Sequence, residues 1–95
     1  MPRRREIEAA IAAYNAADPD MLLPPDAGRL LTIMFRRSSV CQRSVAHLAA
    51  EAGDMIRTVE RLLRSLIEAG FLSKERGHLV GASYTYRLRL PPVRR

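Results

Sequence analysis

Two amphipathic segments separated by a glycine, between Ser44 and Gly70, constrain the fold more than any other part of the sequence. The first, SVAHLAAEA, has apolar residues at helical spacing, and Ser44 is placed to cap its N-terminus. Gly53 follows it, and glycine is the residue that most readily ends a helix in the left-handed conformation. The second segment, about 55–69, ends at Gly70 in the same way. The sequence therefore predicts two helices joined by a tight turn.

The predicted helix at 55–69 has an apolar half and a basic face. With Val59 at the centre of the apolar half, its other members are Met55, Ile56, Leu62, Leu63, Leu66, Ile67 and Ala69. The opposite side holds Arg57, Arg61, Arg64 and Glu68, and Glu60 lies at the border. We expect Met55 and Ile56 to project to the apolar half, and Asp54 to cap the helix.

Extended segments follow this helix. From Tyr84 to Leu90, aromatic and aliphatic residues alternate with Thr85, Arg87 and Arg89, which is typical of a strand with one solvent-facing side. Together with the residues after Gly70 it predicts a β-hairpin around a loop at 77–81.

The chain before Ser44 adds two helices. Residues 3–17 predict an alanine-rich helix whose apolar stripe is Ile7, Ala10, Ile11, Tyr14 and Ala17. A linker at 18–25, with Met21, Leu22 and Leu23 at its centre, is expected to dock on the core. Asp26 is a candidate cap for a helix to about Arg37, and a short strand is predicted at 38–42. The expected fold is mainly α with a small β-hairpin.

Charge and composition indicate the class of partner. The chain has 95 residues, enough for one domain, and a net charge of +6. The excess lies in residues 55–95, which hold nine basic and three acidic residues. A positive field at one end of a small domain favours a polyanion, most often nucleic acid, over the alternative that arginine only supplies solubility.

Other classes of function are disfavoured. Cys41 is the single cysteine, so an intrachain disulfide is excluded and a small buried side chain is expected. No set of metal ligands or catalytic residues is recognisable, so we expect neither an enzyme nor a cofactor or metal, and no small-molecule effector is evident. No apolar run is long enough to span a membrane, and Glu6 and Glu8 interrupt any signal sequence. A cytoplasmic protein is expected.

From about Asp26 to Leu90 the chain resembles the winged helix-turn-helix domains of bacterial and phage transcription and replication regulators. The segments that carry the resemblance are SVAHLAAEAG, RTVERLLRSLIEAGFL and YTYRLRL. It implies a domain at 26–92, preceded by a helix and linker at 1–25 and followed by a basic tail at 93–95. It also implies sequence-specific binding of double-stranded DNA, with a recognition helix at about 55–69 and a β-wing at about 71–90.

The candidate DNA-binding residues are Arg43, Ser44, Arg57, Thr58, Arg61, Arg64, Arg76 and His78. Arg57 and Arg61 are expected to reach bases or inner phosphates, and Arg64 the DNA backbone. Thr58 is expected either to contact phosphate or to bond within the first turn. The cap formed by Ser44 would exist even without DNA.

Alternatives stay open at two points. Asp54 and Glu60 bring carboxylates toward the phosphates, so the domain could instead bind protein. A further alternative is an accessory DNA-binding domain that serves plasmid or phage replication. The stripe that contains Ile7, Ile11 and Tyr14 is expected to form a homodimer, with packing inside its own chain as the alternative.

Overall fold

The computed structural model describes residues 4–17, 19–75 and 84–90, which form four α-helices and a small antiparallel sheet. The helices are α1 (Arg4–Ala17), α2 (Ala27–Met34), α3 (Val45–Ala52) and α4 (Ile56–Glu68). The strands are β1 (Val40–Cys41), β2 (Leu72–Glu75) and β3 (Thr85–Leu88), and a 3₁₀ turn, Pro19–Met21, follows α1. The prediction of a mainly helical fold with a small sheet is confirmed.

The sheet has three strands in the order β1, β3, β2. Cys41 pairs with Tyr86 on one edge of β3, and Leu72 pairs with Leu88 on the other. The sequence predicted a hairpin and a separate short strand. In the structure they form one sheet, because β3 pairs with β1 along one edge and with β2 along the other. The predicted loop at 77–81 lies outside the described residues.

Gly53 follows the end of α3, and Gly70 follows the end of α4, so glycine stands at both helix ends as the sequence predicted. Gly53 has φ +70° and Gly70 has φ +85°, the left-handed region that other residues adopt at a cost. A Cβ added at either position would meet nothing within 4 Å. Backbone conformation, and not lack of space, is therefore what calls for glycine in both turns.

The core is one cluster to which all four helices and the sheet contribute. Its largest fully buried side chains are Phe35, Phe71, Ile7, Leu30, Leu31, Leu48, Leu66 and Val59. Cys41 is buried within this cluster as a free thiol, as expected.

The apolar stripe of α1 packs against the core of its own chain. Ile7 is only 2% exposed, and Ile11 and Tyr14 pack against the same core. The Tyr14 ring meets Phe71 edge to face, with centroids 5.7 Å apart. A Cβ on Gly28 would lie 3.1 Å from Cδ1 of Ile11, so glycine lets α1 approach α2 closely. Ile7 is thus buried inside its own chain, while Ile11 and Tyr14 are partly buried there, and a homodimer formed through this stripe stays a prediction.

The linker between α1 and α2 docks only in part. Leu23 is buried, and its backbone N–H donates to Oδ1 of Asn15 over 2.9 Å. Leu22, which was expected to dock beside it, is 61% exposed. One apolar side chain and one hydrogen bond therefore fix the end of this segment.

The predicted helix caps have three different outcomes. The Ser44 hydroxyl accepts a hydrogen bond from the His47 N–H over 3.1 Å, which confirms it as the cap of α3. Asp26 occupies the N-cap position of α2, but its side chain makes no capping bond. The expectation for Asp54 is wrong: Met55 is the N-cap residue of α4, and no side chain caps that helix.

The alternation predicted for the last strand holds only beyond its first residues. Tyr86 is buried and Arg87 and Arg89 are exposed, as expected. Tyr84, however, is exposed and Thr85 is buried. The Thr85 hydroxyl accepts a hydrogen bond from Nε2 of Gln42 over 3.4 Å, so the segment that follows β1 covers this position.

Candidate nucleic-acid interface

Helix α4 is held by one face and presents the other to solvent. Its buried side chains are Val59, Leu62, Leu63 and Leu66, and it packs on α2, α3 and β2. The opposite face carries Arg57, Arg61 and Arg64, all exposed. We call these three residues the basic strip. The division into a buried half and a basic face follows the sequence prediction from Val59 onward.

None of the ion pairs within the described ranges 4–17, 19–75 and 84–90 involves the basic strip. The ion pairs there join Arg4 to Glu8, Arg43 and His47 to Glu51, and Arg87 to Glu75. From Arg57 to Arg64 the helix axis rises about 10 Å. The strip therefore spans about two turns of α4.

The first residues of α4 are exposed, contrary to expectation. Met55 is 74% exposed and Ile56 is 50% exposed. We call these two residues the apolar tip. Met55 is the N-cap residue and has extended backbone angles, and the first buried residue of α4 is Val59. The first turn therefore extends past the elements that cover the rest of the helix.

The start of α4 also lacks a capping side chain. A helix leaves its first backbone N–H groups without partners inside the helix, and a cap normally satisfies one of them. The Met55 side chain has no oxygen to offer, and Asp54 makes no such bond. Thr58 lies half-buried in this turn. The N-terminus of α4 thus combines the positive end of the helix dipole with two exposed apolar side chains.

A shallow groove of about 410 Å³ lies beside α4 on the side of the sheet. Glu60 and Arg64 line it from the helix, and Lys74 and Tyr84 line it from the strands. The Lys74 ammonium lies 3.8 Å from the centroid of the Tyr84 ring, a cation–π contact that holds both side chains at the groove. Of the predicted wing contacts, Arg76 and His78 lie outside the described residues.

Arg43 is engaged in contacts within the protein. Its Nη2 donates to the carbonyl oxygens of Ile33 and Met34 over 2.7 and 2.9 Å, and its Nη1 donates to Glu51. The hydrogen bond from Arg43 lowers the pKa of the Glu51 carboxyl. Nε2 of His47 also lies 2.8 Å from Oε1 of Glu51. The sequence did not reveal this network, because the acceptors are backbone carbonyls at the end of α2. A phosphate contact by Arg43 stays a prediction, as it does for Ser44.

Membrane spans and metal sites are both absent from residues 4–17, 19–75 and 84–90. No helix in those ranges is long and apolar enough to cross a membrane. Nor do the same ranges contain a group of three or more His, Cys, Asp or Glu residues that could hold a metal ion.

Comparison with known proteins gives no match to this chain, whether with family models, with curated proteins or with solved structures. The geometry around α4 is therefore the main indication of function.

Proposed function

We propose that the protein is a sequence-specific DNA-binding regulator of transcription, with α4 as its recognition helix. The observation that carries the proposal is the basic strip: three exposed guanidinium groups on one face of a helix whose other face is fixed in the core. Arginine donates two parallel hydrogen bonds to guanine or to phosphate, so such a strip suits the edges and backbone of duplex DNA.

The order of elements supports a winged helix-turn-helix. Helix α3, the turn at Gly53 and helix α4 follow one another as a helix-turn-helix, and β2 and β3 come after them. The remaining strand, β1, pairs with the central strand β3 and so joins the segment before α3 to the sheet. This arrangement holds α4 against α2, α3 and β2 and leaves its basic strip exposed.

The charges indicate how the helix would meet DNA. Arg57 lies in the first turn of α4 and Arg61 one turn further, where a recognition helix reaches base edges and inner phosphates. Arg64 lies about one turn further toward the C-terminus of α4, where its side chain suits the sugar–phosphate backbone. The uncapped first turn offers backbone N–H groups and the positive end of the helix dipole to a phosphate.

Fluorescence anisotropy with a duplex selected from random sequence tests the proposal. We expect affinity to fall steeply between 50 and 200 mM salt, by about 40-fold if three phosphates are neutralised. Arg57→Ala and Arg61→Ala should each weaken binding by about 1–3 kcal/mol. Arg5→Ala is the matched control, since Arg5 is exposed on α1 and its loss removes the same charge. Binding that is absent, or equally weakened by all three variants, would contradict α4 as the recognition helix.

A protein-interaction module is the second candidate, and the apolar tip is the observation that favours it. Exposed apolar side chains at a helix end are also what a protein partner would cover. In that case duplex DNA would bind weakly and without sequence preference, and Arg57→Ala would leave it unchanged. The same titration therefore separates the two candidates.

A further inference from the structure

The apolar tip is not explained by the stability of the fold. Met55 and Ile56 are both at least half exposed, so neither contributes much to the core. Met55 also occupies the N-cap position, where Ser, Thr, Asp or Asn would satisfy a backbone N–H and Met does not. The chain thus places an apolar residue where a polar one would stabilise the helix, which points to a use outside the fold.

The position of the tip identifies what it would meet. Ile56 and Arg57 are the first two residues of α4, so the tip and the basic strip meet in the first turn of the helix, although they project from different sides of it. When a helix of this kind enters the major groove, its N-terminal residues lie closest to the base edges. The 5-methyl group of thymine is the apolar group presented there, and apolar side chains recognise it by contact.

The size of the tip also favours a base over a protein. A stable protein interface buries about 800 Å² on each partner, which two side chains cannot provide. Other large apolar side chains exposed in the described ranges are Leu22 in the linker and Tyr84 before β3, and neither lies on α4. Two side chains do match one or two methyl groups.

We propose that Met55 and Ile56 read thymine through its 5-methyl group and so determine part of the sequence specificity. This inference rests on the proposed binding of DNA by α4. Arg57 and Arg61 supply affinity through phosphates and base edges, while the tip distinguishes a base that carries the methyl group from one that does not. Uracil differs from thymine by that group alone, so it isolates the contact.

The test replaces each thymine of the selected duplex in turn by deoxyuridine and measures affinity by anisotropy. Loss of a contacted methyl group should weaken binding about fourfold, and we expect this at one or two positions. The double variant Met55→Ala/Ile56→Ala should bind the thymine and uracil duplexes equally at those positions. Leu22→Ala is the matched control, because Leu22 is similarly exposed but lies in the linker, and it should keep the fourfold difference.

The outcomes separate this inference from the proposed function. If Arg57→Ala weakens binding but no deoxyuridine substitution does, the protein binds DNA and the inference about the tip is wrong. A thymine preference that persists in the double variant would also overturn it, as would a selected site without thymine. If duplex DNA is not bound at all, the proposed function fails and this inference fails with it.

Discussion

Arg43 shows how a single residue can join three parts of this fold. It follows β1 in the chain, and its guanidinium donates to carbonyls at the end of α2 and to a carboxylate on α3. The last carbonyls of a helix lack partners within it, so Arg43 acts as a C-terminal cap supplied from outside. The ion pair with Glu51 then keeps its guanidinium in place.

Replacing Arg43 by alanine should lower the free energy of unfolding by about 1–3 kcal/mol, since two part-buried carbonyls at the end of α2 lose their donor. The pKa of Glu51 is lowered in the folded protein, so its contribution is present above the ordinary carboxyl pKa and is lost as pH falls through the folded value. Urea titrations should therefore show the difference between wild type and Arg43→Ala shrinking in acid. Arg36→Ala, at an exposed arginine near the end of α2, is the control. A constant difference across pH would argue against the Glu51 contribution.

At the scale of elements, the sequence predicted the features that depend on residues close together in the chain. Helices and their ends follow from periodicity and from the glycines that adopt positive φ, so α3 and α4 lie within a residue or two of their predicted bounds. The joining of β1 to β3 was not predictable in the same way, because it pairs residues more than 40 positions apart. Periodicity placed Met55 and Ile56 with the apolar half of the helix but did not reveal that both side chains are exposed.

The first turn of α4 yields a prediction of its own. Met55→Ser introduces a hydroxyl at the N-cap position, where it can accept from a backbone N–H that no side chain now satisfies. Little apolar contact is lost, since Met55 is largely exposed. We expect the free energy of unfolding to rise by about 0.5–1 kcal/mol in urea titrations. Met55→Ala, which removes the same contacts without adding an acceptor, should not show this gain; equal stability of the two variants would mean that the hydroxyl does not cap α4.

At the scale of the whole molecule, α1 is part of the same core as the helices and strands that hold α4. Its residues Ile7 and Ala10 are buried with Leu30, Phe71 and Tyr86, although the resemblance of the sequence covered only the chain from Asp26 onward. The segment before that point is thus needed to complete the core, while the basic strip lies on the solvent-facing side of α4. Stability and the proposed DNA contact are carried by different faces of one small domain.

Ile7→Ala tests the place of α1 in this core. Truncating a buried isoleucine loses its burial and leaves a cavity, so we expect the free energy of unfolding to fall by about 2–4 kcal/mol. Because Ile7 packs within its own chain, the loss should be the same at all protein concentrations, whereas a loss at a dimer interface would make the unfolding midpoint depend on concentration. Leu22→Ala, at an exposed leucine, should change stability by less than about 0.5 kcal/mol. A concentration-dependent midpoint for wild type that becomes independent in Ile7→Ala would instead support a homodimer formed through this stripe.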